Sequence, residues 1–139
     1  MQRTGLYRCG GYQRTRMANG DTPAVKYNET RPVRPGVFVR YKLIYPADPE
    51  RYPPGACYSL HYGVDPALAP DDVAWPIGEE QGTMLRYDND HGDGTHHRHV
   101  GGDLDPEYSF PGSVAAVYDR FWREIEVEPF GPSPEDYDI

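Results

Sequence analysis

The stretch VFVRYKLIY, from Val37 to Tyr45, decides the fold class because apolar and polar side chains alternate along it. Its odd-numbered positions carry two valines, a leucine and two tyrosines, whereas the arginine and the lysine occupy even-numbered positions. A period of two in β-branched and aromatic residues predicts a strand with one buried face. Pro46 ends this strand because proline has no N–H to donate to a sheet.

Two later stretches continue the pattern and predict an antiparallel sheet. ACYSLHYGV (56–64) places its larger apolar residues on one face and His61 on the other, where we expect a structural or solvent-exposed histidine. GTMLRYDN gives a third strand at 83–89. The glycines of DHGDG suit a hairpin loop, and THHRHV has the length of a return strand that ends at Gly101-Gly102.

One helix is predicted near the C-terminus. Ser113 follows Pro111-Gly112 and is a suitable N-cap, and the helix should end near 126–127. An apolar stripe at helical spacing consists of Val114, Val117, Tyr118, Phe121 and Ile125. The predicted fold class is therefore α+β, mostly β: an antiparallel sheet that includes a His-rich hairpin, with one C-terminal amphipathic helix packed on a face.

The length of 139 residues suits a single domain with loose ends. Residues 1–20 read as a basic and disordered arm, with four arginines and no acidic residue in the first 19, unless translation starts at Met17. Residues 21–128 form the predicted α+β domain, and 129–139 an acidic, mobile tail. Within the domain, the proline-rich segment 65–77 should contain at most a turn, with Trp75 anchored on the core.

The charge balance limits the possible partners. Asp and Glu number 22 against 14 Lys and Arg, which gives a net charge of -8. Only Lys26 and Lys42 are lysines, a composition that favours a salt-loving organism, although a GC-rich genome also enriches arginine. This charge argues against an electrostatic grip on nucleic acid by the whole surface. It permits a local site lined by arginine.

Cysteine usage and hydropathy predict a cytoplasmic protein. Cys9 and Cys57 are too few for a disulfide framework and lack Cys-x-x-Cys spacing, so we expect free thiols in a reducing compartment. No apolar run approaches the roughly 18 residues that a membrane span needs. The first residues, MQRTGLYRCGGYQRTRM, lack the apolar core of a signal peptide.

The segment RYDNDHGDGTHHRHV (86–100) contains four of the five histidines, at positions 91, 96, 97 and 99. One interpretation is a metal site, because His97 and His99 point the same way from a strand. Further ligands would come from Asp88, Asp90, His91 or Asp93. His-x-His in a Gly-rich hairpin is a weak motif, so we expect no bound metal and no cofactor. Another interpretation is a solvated loop.

The third interpretation is acid–base chemistry on RNA. Cleavage through the 2′-hydroxyl needs a base, an acid and a cation beside the developing charge. The candidate catalytic residues are His97 and His99 as the acid–base pair and Asp88 as their orienting group. The candidate substrate- or phosphate-binding residues are Arg86, Arg98, Tyr87 and His96. Asn89 is expected to fix the turn by side-chain-to-backbone hydrogen bonds.

The same segment resembles the TumE family of toxin components of toxin–antitoxin pairs. The resemblance rests on Arg-Tyr-Asp-Asn at 86–89 and on His-His-Arg-His-Val at 96–100, where Arg98 stands in place of the usual lysine. Between them, Asp90–Thr95 departs from the Ala-Pro-His and the proline before the double histidine that members often have. The order of strands, hairpin and helix over 37–127 is also similar.

The resemblance implies a cytoplasmic toxin held inactive by an antitoxin, commonly a DNA-binding protein encoded nearby. With the chemistry above it favours a metal-independent ribonuclease, with RNA as a second partner. Two other classes stay open. One is a non-catalytic module that binds a partner or nucleic acid, and the other is a metal-dependent hydrolase with histidine ligands.

Overall fold

The computed structural model describes residues 13–16, 23–79 and 81–139. Within them, seven strands form one antiparallel sheet in chain order, each paired with the next. The strands are β1 (Gln13–Arg16), β2 (Pro23–Arg34), β3 (Val37–Tyr45), β4 (Cys57–Val64), β5 (Thr83–Asp88), β6 (His97–Val100) and β7 (Asp103–Leu104). The predicted strand positions of β3 to β6 are confirmed to within a residue or two. β1, β2 and β7 were not predicted.

Helix α1 (Val114–Ile125) covers one face of the sheet. The Ser113 hydroxyl accepts a hydrogen bond from the Ala116 N–H, and Glu126 ends the helix in the left-handed region with φ of 58°. All five residues of the predicted stripe are buried, together with Trp122. Burial of such a side chain is worth roughly 1.5–3 kcal/mol, so packing on the sheet stabilises α1. The predicted α+β fold class is confirmed.

The core lies between α1 and the apolar face of β2 to β5. Its fully buried aromatic rings include Tyr27, Tyr41, Tyr58, Tyr87 and Phe121. β2 extends this core only through its first half, since Val25 and Tyr27 are buried and most later residues are exposed. Two buried residues are too short a pattern to identify a strand of 12 residues, which explains why the sequence did not reveal it.

The C-terminal segment differs from the mobile tail that the sequence predicted for 129–139. A short 3₁₀-helix spans Pro134–Tyr137, and the side chains of Tyr137 and Ile139 are buried against the core. The Ile139 carbonyl accepts a hydrogen bond from the Ala115 N–H in the first turn of α1. Tyr, Phe and Ile residues placed among the acidic ones therefore attach this segment to the domain.

Other expectations meet mixed outcomes. Of the arm predicted at 1–20, residues 13–16 form β1 and the rest lies outside the described residues. The segment 65–77 contains turns without a helix or strand, and the Trp75 ring packs edge-on against Tyr62.

His61 is a structural histidine and not a solvent-exposed one, because it is buried and hydrogen-bonded to Thr83. In the part of the chain that the structure describes, no helix is long and apolar enough to cross a membrane.

Candidate functional site

The register between β5 and β6 distributes the histidine segment over two faces of the sheet. Arg86 lies opposite His99, and Asp88 lies opposite His97. Directly opposed residues of antiparallel strands point to the same side. One face of the sheet therefore carries Arg86, Asp88, His97 and His99. It is called the cleft face below, because an open cleft lies beside it. Alternation sends Tyr87 and Arg98, which also oppose each other, to the helix face covered by α1.

The hairpin turn adds a third imidazole to the cleft face. One ligand atom from each of Asp88, His91, His97 and His99 lies within 4.8 Å of the others. The rings of His91 and His97 have centroids 5.3 Å apart, and those of His97 and His99 are 5.8 Å apart. These four residues are called the Asp–His cluster below.

Asp88 is the centre of the cluster. Its side chain is 0% exposed, and neither carboxylate oxygen has a hydrogen-bond partner among the described residues. Oδ2 lies 2.6 Å from Arg86 Nε, an ion pair outside hydrogen-bond geometry, and 3.7 Å from His91 Nε2, while Oδ1 lies 3.6 Å from His97 Nδ1. Burial raises the pKa of this carboxyl, and Arg86 opposes that rise.

A short chain of hydrogen bonds fixes the tautomer of His97. The Thr95 hydroxyl donates to Asp93 Oδ1 over 2.6 Å, so its oxygen is left to accept from His97 Nε2 at 2.9 Å. The proton of a neutral His97 then sits on Nε2. Nδ1 is consequently an unprotonated nitrogen, and it is buried, without a hydrogen-bond partner and directed at the Asp88 carboxylate.

Charged side chains surround the cluster. The Asp90 carboxylate lies 3.3 Å from Lys42 Nζ and 3.5 Å from Arg86 Nη2. Arg86 Nη1 is 3.5 Å from the Gln81 side-chain oxygen, a contact too long to hold it firmly. Burial lowers the pKa of His99, with Asp88 acting in the opposite direction. Arg86 is therefore held by Asp88 through its Nε, whereas its two terminal nitrogens make only long contacts.

An open cleft of about 1020 Å³ gives access to the cluster. Its walls include Arg86, His91, Arg98 and His99 from the hairpin and residues 76–79 from the preceding segment. The His91 side chain is half exposed, whereas the Asp88 side chain is 0% exposed and does not line the cleft. A ligand in this cleft would contact Arg86 and two imidazoles of the cluster, those of His91 and His99.

Arg98 and Tyr87 belong to a network on the helix face. Arg98 Nε donates to the Tyr87 hydroxyl, Nη1 to Asp105 and Nη2 to Glu124, each over 2.9 Å. The Tyr87 hydroxyl donates in turn to the other oxygen of Glu124 in α1. These two residues were predicted to contact substrate beside the histidines, and the structure places them on the opposite face of the sheet from the cluster.

His96 and Asn89 also lie apart from the cluster. The His96 ring stacks on Phe110 at 3.7 Å, and its Nδ1 shares a hydrogen bond of 2.7 Å with the Tyr58 hydroxyl. Burial lowers its pKa. Asn89 is fully buried, and its side chain bonds to the backbone of Pro53, Ala56 and Tyr58. It thus ties the end of β5 to the loop before β4 rather than to its own turn.

Two contributions were absent from the predicted site. His91 was weighed only as a further metal ligand, and Thr95 with Asp93 was given no role in orienting a histidine. The spacing Asp88-x-x-His91 across a glycine turn is the sequence signal for the first. The second depends on a side-chain path through the loop, which residue types and spacing do not reveal.

Comparison with known proteins identifies the family. A family model described as Toxin TumE matches residues 18–128, which is more than half of the chain. The chain therefore belongs to the TumE toxin family, as the resemblance indicated. It is a toxin component of a toxin–antitoxin system and so has an antitoxin partner. No curated protein and no solved structure gives a significant match.

Proposed function

We propose that the toxic activity is the cleavage of RNA phosphodiester bonds at the Asp–His cluster. One observation carries the proposal: three imidazoles and a buried carboxylate meet beside the Arg86 guanidinium at an open cleft. Groups that exchange or bind protons, gathered with a cation in a cleft, are the usual components of a phosphoryl-transfer site.

Arg86 is assigned to the phosphate. A guanidinium presents a planar fork of donors that matches two phosphate oxygens. Only the contact to Asp88 is short, and the terminal nitrogens lie 3.5 Å from their nearest partners. These nitrogens can therefore turn to a phosphate in the cleft without breaking strong hydrogen bonds.

The cluster is assigned to the bond-breaking step. The sequence-based hypothesis gave the proton transfers to His97 and His99 and the orienting role to Asp88. Their shared face and the contact of 3.6 Å between Asp88 and His97 support a joint role. His91 is added because its ring lies beside His97 and faces the cleft.

Tyr87, Arg98 and His96 are now assigned to packing. Their polar atoms are hydrogen-bonded to Glu124, Asp105 and Tyr58, so a phosphate would have to displace partners already in place. The proposal extends to a cytoplasmic location, where cellular RNA is found, and the toxin family supports a DNA-binding antitoxin encoded nearby as the partner.

The test combines growth with RNA analysis. Wild type, Arg86→Gln and the double variant His97→Ala/His99→Ala are expressed in a related host, and purified proteins are incubated with total RNA. We expect wild type to arrest growth and fragment RNA, and both variants to do neither. Circular dichroism shows whether the variants remain folded.

Two results would reject the proposal. Growth arrest with intact RNA would place the toxic activity elsewhere. Tight RNA binding without fragments, unchanged in the double variant, would favour the non-catalytic binding module.

A further inference from the structure

We infer that the Asp–His cluster is a binding site for a divalent transition-metal ion such as Zn²⁺. The inference rests on the site of the proposed ribonuclease activity, and it departs from the sequence-based expectation that no metal is bound. It also changes the role of His97 and His99 at that site from proton transfer to metal ligation, because a nitrogen that binds a metal ion cannot exchange a proton. Three imidazoles and one carboxylate are ligands that Zn²⁺ and its neighbours in the first transition row accept. Mg²⁺ and Ca²⁺ prefer oxygen ligands, so the three imidazoles disfavour them.

The ligand atoms are close enough to meet at one ion. Bonds of about 2.1 Å place neighbouring ligands of a tetrahedral ion roughly 3.4 Å apart. His97 Nδ1 lies 3.6 Å from Asp88 Oδ1, and His91 Nε2 lies 3.7 Å from Oδ2, so one imidazole is close to each carboxylate oxygen. The widest separation in the cluster, 4.8 Å, requires only side-chain rotation, since three of the four residues lie on one strand pair.

The hydrogen bonds of His97 supply a second, independent observation. Because the Thr95 hydroxyl donates to Asp93, it accepts the Nε2 proton of His97, and Nδ1 keeps its lone pair. This lone pair faces Asp88 Oδ1, another acceptor, across 3.6 Å. Two acceptors directed at one point, with no donor between them, are the arrangement that a cation satisfies. Metal-binding histidines commonly donate their other nitrogen to such an outer partner.

Asp88 points to the same conclusion. A buried carboxylate without hydrogen bonds is costly, and both of its oxygens lack them among the described residues. Arg86 balances the charge from the side of Oδ2 only. A metal ion between Oδ1 and the imidazole of His97 would satisfy the other oxygen.

The first test measures metal content directly. Protein purified without a histidine tag or a nickel column is equilibrated with Zn²⁺, dialysed, and analysed for bound metal, and Co²⁺ is used as a spectroscopic substitute. We expect about one Zn²⁺ per chain and visible Co²⁺ absorption bands typical of a four-coordinate site. Both should disappear in His97→Ala/His99→Ala. The matched control is His96→Gln, which removes an imidazole from the same hairpin but from the other face, and should keep both.

A graded test addresses the Thr95 contact. Thr95→Val keeps the shape of the side chain and removes the hydroxyl, so we expect Zn²⁺ affinity to fall by 10- to 100-fold, as for other outer partners of metal ligands. Thr95→Ser should restore it. Only traces of zinc in wild type, or zinc bound equally by wild type and the double variant, would overturn the inference.

Arg86→Gln separates this inference from the proposed function. The variant loses the phosphate contact but keeps every proposed ligand, so it should bind Zn²⁺ as well as wild type does and fail to cleave RNA. Cleavage of RNA by wild type in excess chelator would contradict the metal site and would still support the proposed ribonuclease activity. Stoichiometric zinc in a protein that never cleaves RNA would do the reverse.

Discussion

Arg86 and Arg98 lie on adjacent strands of one hairpin, yet their surroundings differ. Each nitrogen of the Arg98 guanidinium donates to a partner at 2.9 Å: Nε to Tyr87, Nη1 to Asp105 and Nη2 to Glu124. Arg86, on the cleft face, has one short ionic contact and otherwise distances of 3.5 Å. The comparison teaches that two arginines of one hairpin can differ in the donors that they leave available for a ligand. The terminal nitrogens of Arg86 make only long contacts, and strand alternation determines which arginine is left in this state.

The largest expected effect is on activity, through Arg86→Gln. Loss of the cation beside the phosphate should lower the rate of RNA cleavage by about 10³-fold, which corresponds to about 4 kcal/mol of transition-state stabilisation. The variant should also lose roughly 3 kcal/mol of unfolding free energy, because it removes the cation that lies 2.6 Å from the fully buried Asp88 carboxylate. Cleavage assays and urea titrations measure the two quantities. A folded variant with full activity would remove Arg86 from the site.

Activity is expected to respond differently to loss of Arg98. Arg98→Met leaves Asp105 without its cation and Glu124 with only Arg120 at 3.5 Å, and should cost roughly 2 kcal/mol of stability, less than a fully buried pair because these side chains are 14–24% exposed. Activity per folded molecule should remain near that of wild type. If instead Arg98→Met folded normally and lost activity, the two arginines would have exchanged roles.

The regular part of the fold could be predicted because its patterns are long. Buried and more exposed side chains alternate along the nine residues of β3. In α1, the apolar stripe and the N-cap Ser113 indicate the same helix. The sequence did not predict β2 because half of it is solvent-exposed, and it did not predict β7 because that strand has only two residues. The packed C-terminal segment also escaped, since its contacts join Ile139 to the start of α1 and leave no local pattern.

The site could be predicted only in part, for a related reason. Alternation placed His97 and His99 together, and the register that adds Asp88 followed from a two-strand hairpin. The same alternation would have excluded Arg98 and Tyr87 if pairing had been considered together with residue type. His91 reaches the cluster through a turn whose glycines have positive φ, and such a path has no periodicity to read.

A third prediction concerns pH and the buried His61. Burial lowers its pKa from 6.5 to about 4, so below pH 6.5 the unfolded chain binds a proton that the folded protein refuses. Stability is therefore present above pH 6.5 and is lost as the pH falls toward 4. Between about pH 7.5 and 5 the loss should be about 2 kcal/mol.

The difference between wild type and His61→Gln isolates this contribution, because the other histidines titrate in both proteins. Glutamine keeps a polar partner for Thr83 but does not take up the proton. Urea titrations at both pH values should show a smaller loss for the variant. An equal loss would mean that His61 is not the group responsible.

The smallest effect separates two consecutive histidines. His96 stacks on Phe110 and bonds to Tyr58, so His96→Gln should cost about 1 kcal/mol of stability and leave RNA cleavage intact. His97→Ala should abolish cleavage and cost little stability, since its Nδ1 has no hydrogen bond and the bond of its Nε2 to Thr95 is exposed to solvent. Equal effects of the two variants on cleavage would contradict the assignment of chemistry to the face of His97 and of packing to the face of His96. Opposite effects would show that adjacent, identical residues serve structure and chemistry separately because a strand sends them to opposite sides.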